Sequence, residues 1–303
     1  MSIQLFQFRK PFQGRAEKHN TENQVSCLRE INKDAGLHPD LRIKALFIDF
    51  DGTISPIDVP LFEAQVTSDT LRVLHKISQQ IPIAIITSKS LPFVVEKTPF
   101  AHAWSALCGL ETKVGARITK PSCLHMLAKN VVRALEYAKG LRCNLTIEEK
   151  LDSEGLIVAF SVDWRRSKNA CKAKADAMKI LAHCQTLPVF TVHCENQPYF
   201  DVFPCKINKG DALLHLKEKL CLLDGILYMG DSKTDNPAFE LANVALGVLH
   251  TETPAGLACD YFVKFEDVAD FLGALFQSNF IFNPELCGVI PRQKRMHHSL
   301  GIR

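Results

Sequence analysis

The sequence lacks several features that would assign it to a specialised class. It has eleven cysteines among 303 residues but no C-x-x-C pair, so a zinc site is disfavoured and the reduced thiols of a cytoplasmic protein are expected. No stretch of about 18 apolar residues occurs, so no membrane span is expected. The N-terminus lacks the apolar core of a signal peptide. The formal charge of +3 is too small to indicate nucleic-acid binding.

What is present is a pattern of short apolar runs that alternate with helical patterns. Continuous apolar runs are typical of strands buried on both faces, as in parallel sheets. The predicted strands cover residues 45–50, 81–87, 105–109, 225–230, 244–248 and 260–264. The predicted helices between them cover residues 68–80, 209–220 and 235–243. Strands that alternate with helices predict an α/β fold with right-handed crossovers.

The middle of the chain has a different pattern, which predicts an inserted α+β module. Two helices, 121–140 and 169–184, alternate with two strands, 155–164 and 187–195. The predicted organisation is an N-terminal extension 1–40, a core domain 41–117 and 200–277, a cap domain 118–199, and a C-terminal tail 278–303. Both extensions are expected to lie outside the core. The basic end of the tail is either a solvated end or a site for an anion or partner.

Paired carboxylates follow two of the predicted strands. Asp49 and Asp51 come after the run 45–50, and Asp231 and Asp235 come after the run 225–230. Because the carboxyl ends of neighbouring parallel strands meet at one sheet edge, these four acids are expected to lie together. Such acids would repel one another unless a cation neutralised them, and oxygen-only ligands favour Mg²⁺. The sequence therefore predicts a magnesium site.

Four segments resemble the motifs of the haloacid dehalogenase-like phosphohydrolases. The segment "DFDGT" resembles the first motif, Thr87 after "IAII" the second, Lys209 in "INKGD" the third, and "GDSKTDN" the fourth. The resemblance implies a Rossmann-like α/β core with a parallel sheet. It also implies an enzyme, a phosphatase that hydrolyses phosphoric monoesters.

The resemblance further implies a role for each motif residue. Asp49 would attack phosphorus and form an aspartyl-phosphate, and Asp51 would act as general acid and base. Thr87 and Lys209 would hold the phosphoryl oxygens. Mg²⁺ would bind Asp49, the Asp51 main-chain carbonyl and Asp231. Asp235 is assigned to the same metal site, either as a ligand or beside one.

The position of the inserted module indicates the branch of the family. Between Thr53 and Ser68 there is no room for a domain, whereas the long interval between Thr87 and Lys209 accommodates one. This resembles the branch with an α/β (C2-type) cap after the second motif. Within that branch, "DGTISPI", "CGLETKVG" and "YFDVFP" resemble segments of the trehalose-6-phosphate phosphatases.

A phosphorylated sugar is therefore the expected small-molecule substrate. The predicted substrate-binding residues are Gly52, Ser88, Glu149, Lys150, Arg165 and Asp201. Three departures leave the exact sugar open: the second motif reads Thr-Ser-Lys where Ser-Gly-Arg is usual, the fourth reads GDSKTDN rather than GDDxTDE, and Asp163-Trp164 replaces His-Tyr. Lys150 and Arg165 could instead form only surface ion pairs. Trp164 could belong to the cap core, and Lys89 could face solvent at a helix start.

Other functions remain compatible with these motifs. The substrate could be another sugar phosphate or a phosphorylated sugar-glycerate. A phosphotransferase or mutase on the same scaffold would return the phosphoryl group to an alcohol. A non-catalytic binding module is disfavoured, because a scaffold gains nothing from clustered carboxylates. The sequence leaves the oligomeric state open.

Overall fold

The computed structural model describes residues 41–57, 59–60, 63–141, 143–194, 197–250, 256–285 and 287–292. Its strands are β1 (Leu41–Arg42), β2 (Ala45–Ile48), β3 (Ile83–Ile86), β4 (Ala103–Ala106), β5 (Glu111–Val114), β6 (Arg117–Thr119), β7 (Thr146–Leu151), β8 (Ile157–Asp163), β9 (Phe190–His193), β10 (Tyr199–Phe203), β11 (Ile226–Gly230), β12 (Val244–Leu249), β13 (Tyr261–Lys264), β14 (Ile281–Phe282) and β15 (Ile290–Pro291). Its α-helices are α1 (Ser68–Ser78), α2 (Leu91–Lys97), α3 (Leu124–Gly140), α4 (Ala170–Cys184), α5 (Lys209–Lys219), α6 (Asn236–Phe239) and α7 (Val268–Gln277).

The large sheet forms the core domain. Its strand order is β15-β13-β12-β11-β2-β3-β4-β5-β6, and the strands from β13 to β4 run parallel. The central strands are buried on both faces, as their continuous apolar runs predict. In β2, Leu46 packs with the cluster that contains α1 and α7, whereas Phe47 packs with the cluster that contains α5. The predicted α/β fold class, with helices on both faces of a mainly parallel sheet, is confirmed.

The small sheet forms the cap and is wholly antiparallel, with strand order β7-β8-β10-β9. The apolar sides of α3 and α4 cover one of its faces, where Val131, Ile180, Phe160 and Phe200 are buried in one cluster. The other face carries polar residues and lies over the carboxyl ends of the core strands. A small α+β module is therefore inserted between β6 and α5.

The structure corrects several predicted bounds. The boundaries at 117/118 and 199/200 fall inside β6, which pairs with β5 in the large sheet, and inside β10, which pairs with β8 in the cap sheet. The predicted strand 105–109 ends at Ala106, where a 3₁₀ turn over Leu107–Gly109 follows. That turn bends the chain because Cys108 has a φ of 53°.

The prediction that the C-terminal tail lies outside the core was wrong for the part that the structure describes. Strand β14 pairs with β1, and β15 pairs with β13 at the edge of the large sheet. Phe280 and Phe282 are buried in the main core cluster. The extension 1–40 and the basic segment 293–303 lie outside the described residues. Among the described helices, none has the length and apolarity that crossing a bilayer requires.

Candidate active site

The carboxyl ends of β2 and β11 bring the predicted acids together. These strands are parallel neighbours, and Asp49 directly follows one while Asp231 directly follows the other. The main-chain N–H of Asp49 donates to the carbonyl of Met229 at 2.9 Å, which fixes the strand ends side by side. Carboxylate oxygens of Asp49, Asp231 and Asp235 lie within 4.8 Å of one another. The predicted acidic cluster is present, and these oxygens could hold a divalent cation.

Lys209 neutralises part of this cluster from the first turn of α5. Its Nζ lies 2.9 Å from Asp49 Oδ2 and donates to Asp235 Oδ1 at 2.7 Å. Tyr228 donates its hydroxyl to the same Asp235 oxygen at 2.6 Å, and Asp235 Oδ2 accepts from the Ser232 N–H at 3.0 Å. Both oxygens of Asp235 are therefore engaged by the protein. This arrangement favours Asp235 as the residue that orients Lys209 rather than as a metal ligand.

Gly52 is required where the chain turns beside the acids. Its φ is +71°, a conformation that L side chains rarely adopt, and an added Cβ would lie 2.2 Å from Asp231 Oδ2. His250 supports the turn, because its Nε2 lies 2.7 Å from the Gly52 carbonyl and its ring stacks on Phe265. The glycine of the first motif thus allows the main chain to approach Asp231.

Burial and mutual repulsion raise the pKa values of the acids. Burial raises the pKa of Asp49 to about 7, against the attraction of Lys209. Burial, and then repulsion by Asp49 and Asp235, raises the pKa of Asp231 well above its ordinary value. Burial also raises the pKa of Asp51, opposed first by Lys89. A bound divalent cation would favour the ionised forms, so the donor set fits a hard metal ion.

The segment after β3 contributes Lys89, for which the sequence left a solvent-facing position open. Thr87 is buried, and its Oγ1 accepts from the Lys89 N–H at 3.2 Å. The cavity wall at this point consists of Ser88 and Lys89. Lys89 Nζ lies 3.3 Å from Glu148 in the cap and 3.7 Å from Asp51 in the core. The solvent-facing interpretation of Lys89 was wrong, because the cap covers this helix start.

The acids form the floor of a cavity of about 550 Å³ between core and cap. Lys150, from the cap strand β7, is buried and donates to Asp201 Oδ1 at 2.7 Å, which also accepts from the Ser161 hydroxyl. Arg165 also lines the cavity; it pairs with Asp163 at 2.7 Å and lies 5.2 Å above the Tyr199 ring. The surface-pair interpretation thus fails for Lys150, whose partner Asp201 is buried with it.

The comparisons with known proteins agree with this geometry. No model of a known protein family matches the chain. A curated relative, a probable trehalose-phosphate phosphatase J of Arabidopsis thaliana, is 26% identical over 251 residues, 77% of this chain and 67% of the relative. Among solved structures, the C-terminal domain of trehalose-6-phosphate phosphatase of C. albicans superposes with a TM-score of 0.62 at 17% identity, over 89% of this chain and 97% of that one.

A haloacid dehalogenase-like hydrolase of Bacteroides thetaiotaomicron superposes with a TM-score of 0.58 at 13% identity, over 78% of this chain and all of that one (100%). The chain has the haloacid dehalogenase-like fold. The resemblance to phosphatases of this type, predicted from four short motifs, is confirmed by the curated relative and by the solved structures together. The acids at the strand ends are residues that could hold a divalent metal.

The structure of the cap corrects the prediction for one residue. Glu149 was expected to bind substrate, but its carboxylate pairs with Lys139 of α3, on the far side of the cap sheet from the cavity. Side chains alternate between the two faces of a strand, so Glu148 and Lys150 share the cavity face of β7. The residue that faces the site is therefore Glu148. Counting in steps of two from Lys150 would have identified it.

Two further residues needed the structure for their placement. Tyr228 carried no signal, because a tyrosine inside an apolar strand run is typical of core packing. Trp164 is buried in the cap core with its ring centroid 6.4 Å from that of Phe200, which supports the core interpretation over a sugar platform.

Proposed function

We propose that this protein is a Mg²⁺-dependent phosphatase of a phosphorylated sugar. The observation that carries the proposal is that Asp49 and Lys209, both buried, and the half-buried Asp231 meet on the floor of a cavity that the cap covers. A cavity of this size accommodates a sugar as well as a phosphate group. Within this proposal, Asp49, Asp51, Thr87 and Lys209 are the catalytic residues.

Each chain residue has a defined task in the proposed reaction. A carboxylate oxygen of Asp49 forms a bond to phosphorus while the bond from phosphorus to the sugar oxygen breaks, and Asp51 gives its proton to the departing alkoxide. Asp51 then removes a proton from water as the water attacks the aspartyl-phosphate, which releases inorganic phosphate and restores Asp49. During both steps, the positive charge of Lys209 offsets the negative charge at Asp49. Gly52 leaves room for the phosphoryl group.

The proposed Mg²⁺ ligands are the carboxylates of Asp49 and Asp231 and the main-chain carbonyl of Asp51. Bound there, the ion would neutralise charge on the phosphoryl oxygens and keep both carboxylates ionised. Asp235 is proposed to hold Lys209 in place.

Substrate choice is proposed to belong to the cap. Several of the cap residues that line the cavity are charged groups suited to sugar hydroxyls, among them Glu148, Lys150, Arg165 and Asp201, and Ser88 lines the cavity from the core. Trehalose 6-phosphate is the first sugar to test, because the named relatives are trehalose-phosphate phosphatases. A cytoplasmic location is also proposed, since the cysteines within the described ranges are free thiols.

A panel of sugar phosphates, including trehalose 6-phosphate and phosphorylated sugar-glycerates, tests the proposal with purified protein and Mg²⁺. Release of inorganic phosphate by the wild type but not by Asp49→Asn supports it. No release from any sugar phosphate, or equal release by both proteins, contradicts it. Transfer to an added alcohol in place of phosphate release would instead identify a phosphotransferase.

A further inference from the structure

A contact between core and cap lies away from the cavity, at the turn between β7 and β8. Glu111, the first residue of core strand β5, has no exposed surface. Its carboxylate oxygens accept from the Ser153 N–H at 3.1 and 3.0 Å, and Oε1 also accepts from the Ser153 hydroxyl at 2.7 Å. The cap turn is therefore bound to a buried core carboxylate.

This contact holds a turn that is itself well defined. Asp152 accepts from the N–H groups of Glu154 and Leu156, both at 2.9 Å, and Gly155 completes the turn with a φ of +80°. Leaving a buried carboxylate without its hydrogen bonds is costly, so Glu111 stabilises the docked position of this turn. The Lys89–Glu148 pair across the cavity is, by contrast, partly exposed.

The turn continues directly into the strand that faces the substrate site. Lys150 is three residues before Ser153, and within the cap it is fixed by Asp201. Its distance from the core acids, however, depends on where β7 sits relative to the core. We propose that Glu111 is a positioning residue, which holds the β7–β8 turn on the core and thereby sets the height of Glu148 and Lys150 above Asp51. The effect on substrate rests on the proposed function; the anchoring does not.

Three variants test this role in the full-length protein. Glu111→Met fills a similar volume in the core but cannot accept from Ser153. Ser153→Ala removes only the hydroxyl bond, and it serves as the second variant if Glu111→Met does not fold. Ser153→Thr keeps both donors and is the matched control.

The first readout is amide hydrogen exchange, which needs no substrate. We expect residues 151–157 to exchange about tenfold or more faster in Glu111→Met, with β2 and β3 unchanged and with Ser153→Thr like the wild type. Unchanged exchange in the turn would overturn the proposal. Faster exchange throughout the core would also overturn it, because that is the result of general destabilisation.

The second readout is kcat/KM for a sugar phosphate and for p-nitrophenyl phosphate. We expect Glu111→Met to lose about tenfold on the sugar phosphate, mainly through KM, and to stay within about twofold on p-nitrophenyl phosphate, which lacks the sugar. Equal losses on both substrates would overturn the positioning role. If the proposed function is wrong, the wild type will release no phosphate from sugar phosphates. Hydrogen exchange would still test whether Glu111 anchors the β7–β8 turn.

Discussion

The core side and the cap side of the cavity hold their charges in different ways. On the core side, Asp49 and Asp231 lie at strand ends and Lys209 lies at a helix start. Burial and repulsion among the acids raise the pKa values of Asp49 and Asp231. On the cap side, opposite charges are paired within the cap, as in Lys150 with Asp201 and Arg165 with Asp163. The core side thus concentrates negative charge that a bound cation would neutralise, whereas the cap side pairs opposite charges within the protein.

Asp49→Asn should give the largest effect, and it tests the core side of the cavity. We expect turnover to fall by at least about three orders of magnitude on every substrate, since the amide cannot form the aspartyl-phosphate. Steady-state phosphate release measures this, with circular dichroism as the control for folding. A variant that keeps a tenth of the activity would contradict the nucleophile assignment.

Lys150→Met tests whether the cap charges depend on each other. The variant leaves Asp201 buried without its cation, so we expect the free energy of unfolding to fall by about 3 kcal/mol. Urea denaturation measures the loss, and Asp201→Asn in the same chain should recover part of it. Lys139→Met, which removes an exposed ion pair on the other cap face, is the matched control and should cost less than about 1 kcal/mol. Equal losses for Lys150→Met and Lys139→Met would show that Asp201 does not need its cation.

Glu148→Gln and Glu149→Gln compare two adjacent residues on opposite faces of the cap strand β7. Only Glu148 faces the cavity, so we expect Glu148→Gln to lower kcat/KM for the sugar phosphate by about tenfold and Glu149→Gln to leave it within about twofold. Both variants should hydrolyse p-nitrophenyl phosphate nearly as well as the wild type. A larger loss for Glu149→Gln would place the other face of β7 against the substrate.

The smallest expected effect is the pH dependence of metal stabilisation. Burial raises the pKa of Asp49 to about 7 in the metal-free protein, so the folded state keeps a proton that the unfolded chain loses near pH 4. Metal-free stability should therefore fall as pH rises towards and through 7, and Mg²⁺ should offset that fall by binding the ionised form. We expect the rise in Tm on adding Mg²⁺ to be larger at pH 8 than at pH 6. Thermal scans with and without EDTA measure it, and an equal rise at both values would contradict the assignment.

The sequence predicted most of what depends on local pattern. The buried strands β2, β3 and β11 are continuous apolar runs, and the acids that follow them had to meet because parallel strand ends share an edge. The edge strands were missed for a physical reason: β14 and β15 have two residues each, too few to show a period. The hairpin of β5 and β6 was missed as well, because its strands of four and three residues are also too short to show a period.

The cap residues were harder to assign because their roles depend on register. Successive side chains of a strand point to opposite faces, so assigning Glu149 instead of Glu148 selects the carboxylate that points away from the cavity. Lys89 was misjudged because its partner, Glu148, is distant in the sequence and reaches it only through the docked cap. Charged residues whose partners lie on another domain carry little local signal.

The strand order of the large sheet has a consequence for biosynthesis. Strand β2 lies between β3 and β11, so one of its edges stays unpaired until the ribosome has made the entire cap. At bacterial or eukaryotic rates that interval is on the order of ten seconds or more. The cap sheet, by contrast, is built from one continuous segment and can pair earlier. An apolar strand with an open edge invites pairing with other nascent chains, so this protein should depend on chaperones during synthesis.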